Sequence, residues 1–236
     1  MTKEQVAAMI DHTLLNPCAT TKEIRKLCKE AKTYKFASVC VNPTYVPYCA
    51  DHLAKSGVKV CTVIGFPLGA DTTVVKAYGA EDAVIKGADE IDMVINIGEL
   101  KNDNVEFVEQ DIKAVVDASK KAGKSKDKDI TVKVILETCY LTDEEVVKAC
   151  IAAKNAKADF VKTSTGFGTP KALDGTALPN GASVHHVELM RKTVKKSMKI
   201  KAAGGIRSAR TAEDLIEAGA DRLGTSSGTV IVESWK

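Results

Sequence analysis

The sequence predicts an α/β protein, a single (β/α)8 TIM barrel spanning residues 1–236, and three observations predict it. Short β-branched runs alternate with stretches of helical period, which implies parallel strands joined by helices. Eight such runs can be counted along the chain. A small-residue turn ending in Asp recurs at the entry to three of them, as Gly87-Ala-Asp89, Lys157-Ala-Asp159 and Gly219-Ala-Asp221. One junction used three times suggests a repeated module, and eight modules close a barrel. An open doubly wound sheet is the competing architecture, but no G-x-G-x-x-G follows the first strand.

The elements follow in order. The first strand, 11–15 (DHTLL), is the weakest. A helix over 21–35 sets Ile24, Leu27, Cys28 and Ala31 on one face at i, i+3, i+4, i+7 spacing. Strands follow at 36–42, 59–66, 90–97 and 131–138. Thr142-Asp-Glu-Glu145 is a capping box and opens the next helix. The sixth strand, 160–166, leads into a long loop over 166–181, rich in Gly, Pro, Asn and Asp. The seventh strand covers 199–205, and Thr211-Ala-Glu-Asp214 is a weaker capping box opening the helix behind it. The eighth strand covers 222–228. Loops that follow strands form the catalytic face of such a barrel.

Composition narrows the function classes. Hydrophobic residues make up 44% and charged residues 28%, the mix of a globular protein with a large core. The 34 basic and 31 acidic residues leave a net charge of +3, too even to attract nucleic acid or an anionic membrane. The lysines over 121–128 have no aromatics between them and read as a solvated loop. Seven cysteines, an odd number with no C-x-x-C pair, fit a reducing compartment better than a disulfide framework or a zinc site. The charged N-terminus carries no secretory h-region, and no apolar run spans a bilayer, so a cytoplasmic location is expected.

The chemistry is carried by lysines inside strands. Lys162 lies in the sixth strand and Lys201 at the matching place in the seventh. Neighbouring strands bring two ammonium groups together, and a like charge plus desolvation disfavours the protonated amine. A neutral amine is what attack on a carbonyl requires. The alternative has one or both side chains snorkelling outward between helices. Asp92 sits in the fourth strand, with Val94 and Asn96 on one face and Ile91, Met93 and Ile95 on the other. A carboxylate inside a barrel needs a cation or a proton-transfer role. Gly204 and Gly205 after the seventh strand, and Ser226 and Ser227 after the eighth, lie where barrels of this kind bind phosphate. No His, Cys and carboxylate set has metal-ligand spacing, so no metal or other cofactor is expected. His185 and His186 read as surface residues, His12 as a candidate for the barrel floor, Lys133 and Glu137 as an interior ion pair, and Trp235 as a packing residue.

Taken together, DHTLL at 11–15, GADEID at 87–92, FVKTSTG at 160–166 and KAAGGIR at 201–207 resemble the deoxyribose-phosphate aldolases over nearly the whole chain. The resemblance implies reversible cleavage of 2-deoxy-D-ribose 5-phosphate to D-glyceraldehyde 3-phosphate and acetaldehyde without a cofactor. It implies that Lys162 forms the Schiff base, that Lys201 perturbs it, and that Asp92 relays protons through a water. Asp11, Thr13, Cys40, Thr163 and Thr165 match positions around the substrate. Gly166, Gly204, Gly205, Ser226 and Ser227 match the phosphate loops. Two departures stand out. Phe167 occupies a place where some members carry a phosphate-reaching lysine, and the longer loop over 168–181 carries Lys171, which could substitute. The partners implied are small sugar phosphates and aldehydes, with no nucleic acid and no membrane; a homodimer is expected by family analogy alone. A phosphate-binding isomerase using acid–base pairs, or a non-catalytic sugar-phosphate binder, would share the phosphate loops without needing the paired lysines.

Overall fold

Along 90–94, Ile91 and Met93 join the main apolar cluster while Asp92 stays out of it, and the same alternation on every strand builds a ring with two kinds of surface. The structure is a computed structural model describing residues 1–236. Its strands are β1 Ile10–Leu14, β2 Ser38–Val41, β3 Lys59–Ile64, β4 Glu90–Val94, β5 Thr131–Ile135, β6 Phe160–Lys162, β7 Lys199–Ala203 and β8 Arg222–Thr225. They pair in chain order, all parallel, and close through β1 and β8 into a barrel. The expected strands overshoot at their C-terminal ends. The sixth stops at Lys162 rather than 166, because the chain turns away and Gly166 takes a φ of 84°.

Ten helices complete the fold: α1 Lys3–Ala7, α2 Thr21–Tyr34, α3 Val46–Leu53, α4 Thr73–Ile85, α5 Ile97–Lys101, α6 Val105–Ser125, α7 Asp143–Asn155, α8 Val184–Val194, α9 Ala209–Glu217 and α10 Gly228–Ser234. A cluster of 56 buried residues fills the space between ring and helices. On α2, Ile24, Leu27, Cys28 and Ala31 are all buried, as their spacing predicts. The capping box at Thr142 and Glu145 opens α7 with both hydrogen bonds formed. The box expected at Thr211 is not a helix start. Ser208 accepts the Thr211 N–H instead, so α9 begins earlier and Thr211 lies inside it. Trp235 is buried and donates from Nε1 to the Met1 carbonyl. No helix is long and apolar enough to cross a membrane.

The recurring Asp turn has a physical basis. Asp89 donates its N–H to the Val60 carbonyl, and its side chain accepts the Val60 N–H at 2.9 Å. Asp159 does the same with Val132, and Asp221 with Ile200, each accepting at 2.8 Å. Each Asp therefore clamps the start of the preceding strand, at β3, β5 and β7. Gly87, Lys157 and Gly219 supply the left-handed turn before it, with φ of 118°, 64° and 114°.

Two polar residues lie elsewhere than expected. His12 is not on the barrel floor. Its Nε2 stands 2.8 Å from Glu30 on α2 and its ring packs on Phe36, in the outer layer. Glu137 does not pair with Lys133, because nearer partners claim both residues, Thr165 the one and Glu90 with Asp92 the other.

Candidate active site

Strand register assembles the interior charges. Lys162 on β6 is the direct neighbour of Lys201 on β7, and Asp92 on β4 is the neighbour of Lys133 on β5. Asp92 is the centre. Its Oδ2 lies 2.8 Å from Lys162 Nζ and 2.7 Å from Lys201 Nζ, and its Oδ1 lies 2.9 Å from Lys133 Nζ. Below it, Lys201 Nζ stands 2.5 Å from Asp11 Oδ2, a close ion pair outside hydrogen-bond geometry. Asp11 Oδ1 accepts from Arg222 at 2.6 Å and from Ser38 Oγ at 2.7 Å. Glu90 bridges Arg222 at 3.1 Å and Lys133 at 2.5 Å. Both sequence-selected lysines therefore point inward, and the outward alternative fails.

Buried charges survive only when paired. Burial alone would raise the Asp92 carboxyl, but Lys133, Lys162 and Lys201 hold it well below the usual carboxylate range. Burial likewise opposes the ionised form of Asp11, and Lys201, Arg222 and Lys133 overturn that. On the cationic side, burial disfavours the charge on Lys201, yet Asp11 and Asp92 push its ammonium above the ordinary lysine value. Lys133 and Arg222 are raised in the same way, against burial, by Asp92 and Asp11 respectively as their strongest acidic neighbours.

The charge count is uneven. Four cations, Lys133, Lys162, Lys201 and Arg222, face three carboxylates, Asp11, Glu90 and Asp92. Lys133, Lys201 and Arg222 each touch at least two carboxylates. Lys162 touches one, through an oxygen it shares with Lys201. The amine with least compensation is thus Lys162.

Lys162 also faces open space. A cavity of about 360 Å³ at the C-terminal ends of the strands is lined by Thr13, Lys162, Thr165, Gly204, Gly205 and Ser226, together with Phe167 and Arg207. Three glycines let backbone meet backbone beside it. A Cβ on Gly204 would stand 2.8 Å from Gly181 Cα, and one on Gly166 would stand 3.6 Å from Gly204 Cα. The loops after β6 and β7 therefore pack together without side chains between them.

Other predicted residues sit nearby in varied roles. Thr163 is buried and exchanges hydrogen bonds with the Ala203 backbone, tying β6 to β7. Cys40 is fully buried beside Cys61, which lies 3.2 Å from Asp92 Oδ1. Ser227 does not line the cavity, and its N–H is taken by Thr225 Oγ1. Lys171 is exposed in a small hairpin bridged to Ala177, outside the cavity lining, whereas Arg207 is in it.

Sequence reasoning missed Lys133, Glu90 and Arg222 as members of the charge cluster, Arg207 as a cavity residue, and Glu137 behind Thr165. It also found no metal-ligand set, yet folding gathers three: Cys40, Cys61 and Asp92; Asp11, Cys61 and Glu90; and, at the surface, Asp143, His185 and His186. Strand pairing creates the first two from residues far apart in sequence. Their carboxylates already carry lysine or arginine partners.

Comparison with known proteins adds one line of evidence. Residues 5–233 match the sequence model of the DeoC/LacD family aldolases. A deoxyribose-phosphate aldolase of Clostridium perfringens strain SM101 is 56% identical over 233 residues, 99% of this chain and 96% of that protein. One from Caldanaerobacter subterraneus subsp. tengcongensis is 54% identical, covering 98% of this chain and 94% of that protein. A solved deoxyribose phosphate aldolase from Aeropyrum pernix, described as tetrameric, superposes with a TM-score of 0.86 at 35% identity, covering 99% of this chain and 92% of that one.

Proposed function

Because the chain belongs to the DeoC/LacD family of aldolases, we propose that it reversibly splits 2-deoxy-D-ribose 5-phosphate into D-glyceraldehyde 3-phosphate and acetaldehyde through a Schiff base on Lys162. The observation that carries the reading is the position of Lys162. It is the least compensated cation of the interior cluster and the only lysine lining the cavity.

The proposed sequence of steps uses this chain's residues alone. Lys162, unprotonated, attacks the C1 aldehyde, and uptake of one proton from water with loss of water leaves a cationic imine. Lys201, held charged by Asp11 and Asp92, stands beside Lys162 on the same Asp92 oxygen. The imine draws electrons as the C3 hydroxyl loses its proton and the C2–C3 bond breaks. Asp92 directs that proton. Its ammonium partners Lys133 and Lys201 keep it anionic but make it a weak base, so a water between carboxylate and hydroxyl carries the transfer. The enamine on Lys162 then gains a proton at C2 and is hydrolysed to acetaldehyde. Gly166, Gly204, Gly205 and Ser226 bind the phosphate, Ser227 supports the start of α10, and Arg207 supplies the charge that Phe167 does not. Holding the phosphate fixes the carbonyl over Lys162 and supplies orientation. Asp11 and Cys40 brace the cluster, and Thr13 and Thr165 face the substrate.

The whole chain is read as one working unit, acting in the cytoplasm and as a homo-oligomer. Seven free cysteines, most of them buried, support a reducing compartment. The test is borohydride reduction in the presence of 2-deoxyribose 5-phosphate. A stable adduct mapped to the peptide containing Lys162 is expected, and an adduct elsewhere, or none, rules the mechanism out.

A further inference from the structure

Glu137 is buried, outside the cavity lining, and in an unusual backbone state. It is 2% exposed, lies two residues beyond the end of β5, and has φ 57° and ψ 59°. A left-handed non-glycine residue costs on the order of 1–3 kcal/mol and persists only where its surroundings demand it. Its backbone neighbours bind β6: Leu136 donates to the Lys162 carbonyl and Thr138 to the Thr163 carbonyl, each at 2.9 Å. Its side chain reaches further along the same segment. Oε1 accepts the Thr165 N–H at 3.1 Å, and Oε2 is hydrogen-bonded to Thr165 Oγ1. That hydroxyl oxygen in turn accepts the Phe167 N–H at 3.0 Å. Thr165 and Phe167 both line the cavity, and Gly166 between them packs toward Gly204. The chain beyond the turn lies directly on Glu137, since a Cβ on Gly168 would stand 3.5 Å from Glu137 Cδ.

We propose that Glu137 is a positioning residue for the turn at 165–167, holding it in the shape that receives the phosphate end of the substrate. This inference rests on the sugar-phosphate reading above. The carboxyl does not touch substrate. It acts through Thr165, which would otherwise carry a buried N–H without a partner, a costly state. Gln can make both contacts, accepting from the amide and donating to the hydroxyl oxygen. Asp falls one methylene short, and Ala makes neither.

The experiment compares steady-state kinetics on 2-deoxyribose 5-phosphate and on unphosphorylated 2-deoxyribose for wild type, Glu137→Ala, Glu137→Asp and Glu137→Gln. For the phosphorylated sugar, Glu137→Ala and Glu137→Asp are expected to raise KM about tenfold or more, the worth of one or two buried hydrogen bonds. For 2-deoxyribose, kcat/KM should stay within about threefold of wild type. Glu137→Gln should restore the phosphate-dependent KM. If Glu137→Ala fails to fold, Glu137→Asp carries the same test. Equal losses on both sugars, or an unchanged KM in a folded Glu137→Asp protein, overturn the proposal. Wild-type protein inactive on both sugars overturns the aldolase reading itself, and this inference with it.

Discussion

Lys162 and Lys201 share one oxygen atom: Asp92 Oδ2 stands 2.8 Å from the first Nζ and 2.7 Å from the second. The two amines are not equal partners in that bridge. Lys201 has a second carboxylate, Asp11, and Lys162 has none. A single anion thus serves both a doubly paired lysine and a singly paired one.

Lys162→Ala should therefore abolish turnover, with a loss of at least about a millionfold, because the cavity is lined by no other lysine on which the proposed imine could form. The fold should survive, since the change removes one unbalanced cation and leaves Asp92 paired with Lys133 and Lys201. Kinetics alongside circular dichroism and borohydride labelling check this; near-normal activity in the variant would end the assignment.

Lys201→Leu should cost both activity and stability. Asp11 and Asp92 would each lose an ammonium group in a dry interior, and breaking a buried pair costs roughly 3–5 kcal/mol. Turnover should fall at least about a hundredfold, or roughly 2.7 kcal/mol of barrier. A urea midpoint measured beside kcat separates the two effects. Wild-type turnover in Lys201→Leu would remove Lys201 from the mechanism.

Much of this was legible in the sequence. β-branched runs located all eight strands, and lysine in an apolar strand is conspicuous enough to mark Lys162 and Lys201. Asp92 could be placed on the inner face by its alternation with Ile91 and Met93. What escaped was whatever depends on register across the ring. Glu90 and Arg222 sit at strand starts, where a charged residue ordinarily faces solvent; strand pairing brings Glu90 to Lys133, and only closure through β1 and β8 brings Arg222 to Asp11. Glu137 sits at a strand end with no local signal, because its partner Thr165 is 28 residues away. Arg207 lay in plain view within Gly204-Gly205-Ile-Arg207, but its reach into the cavity follows from the turn behind Gly205, which sequence does not specify.

Acid stability follows from the same cluster. The folded carboxyl of Asp92 lies well below its unfolded value near 3.9, so its contribution is full above that value and is lost only as pH falls through the folded one. Asp92→Asn should destabilise the protein by a nearly constant amount from about pH 7 to pH 5, and the gap should narrow below about pH 4, where the wild-type chain gains protons on unfolding. Urea unfolding at several pH values measures it. A gap that widens on acidification contradicts the assignment.

Arg207 offers the last test, because it separates charge from chemistry. It lines the cavity with Gly204 and Gly205, in the loop proposed to receive the phosphate. A hydrogen bond to a charged group contributes roughly 1.5–3 kcal/mol, so Arg207→Ala should raise KM for 2-deoxyribose 5-phosphate by about 10- to 100-fold. In the proposed mechanism the proton transfers occur at Lys162 and Asp92 rather than at the phosphate, so kcat at saturation should change little. Phosphate adds no affinity for unphosphorylated 2-deoxyribose, and kcat/KM for that sugar should be nearly unaffected. Lys171→Ala, at an exposed lysine outside the cavity lining, should leave both constants near wild type. The reverse pattern, a large KM effect at Lys171 and none at Arg207, would mean that the loop over 168–181 folds down to supply the phosphate charge itself.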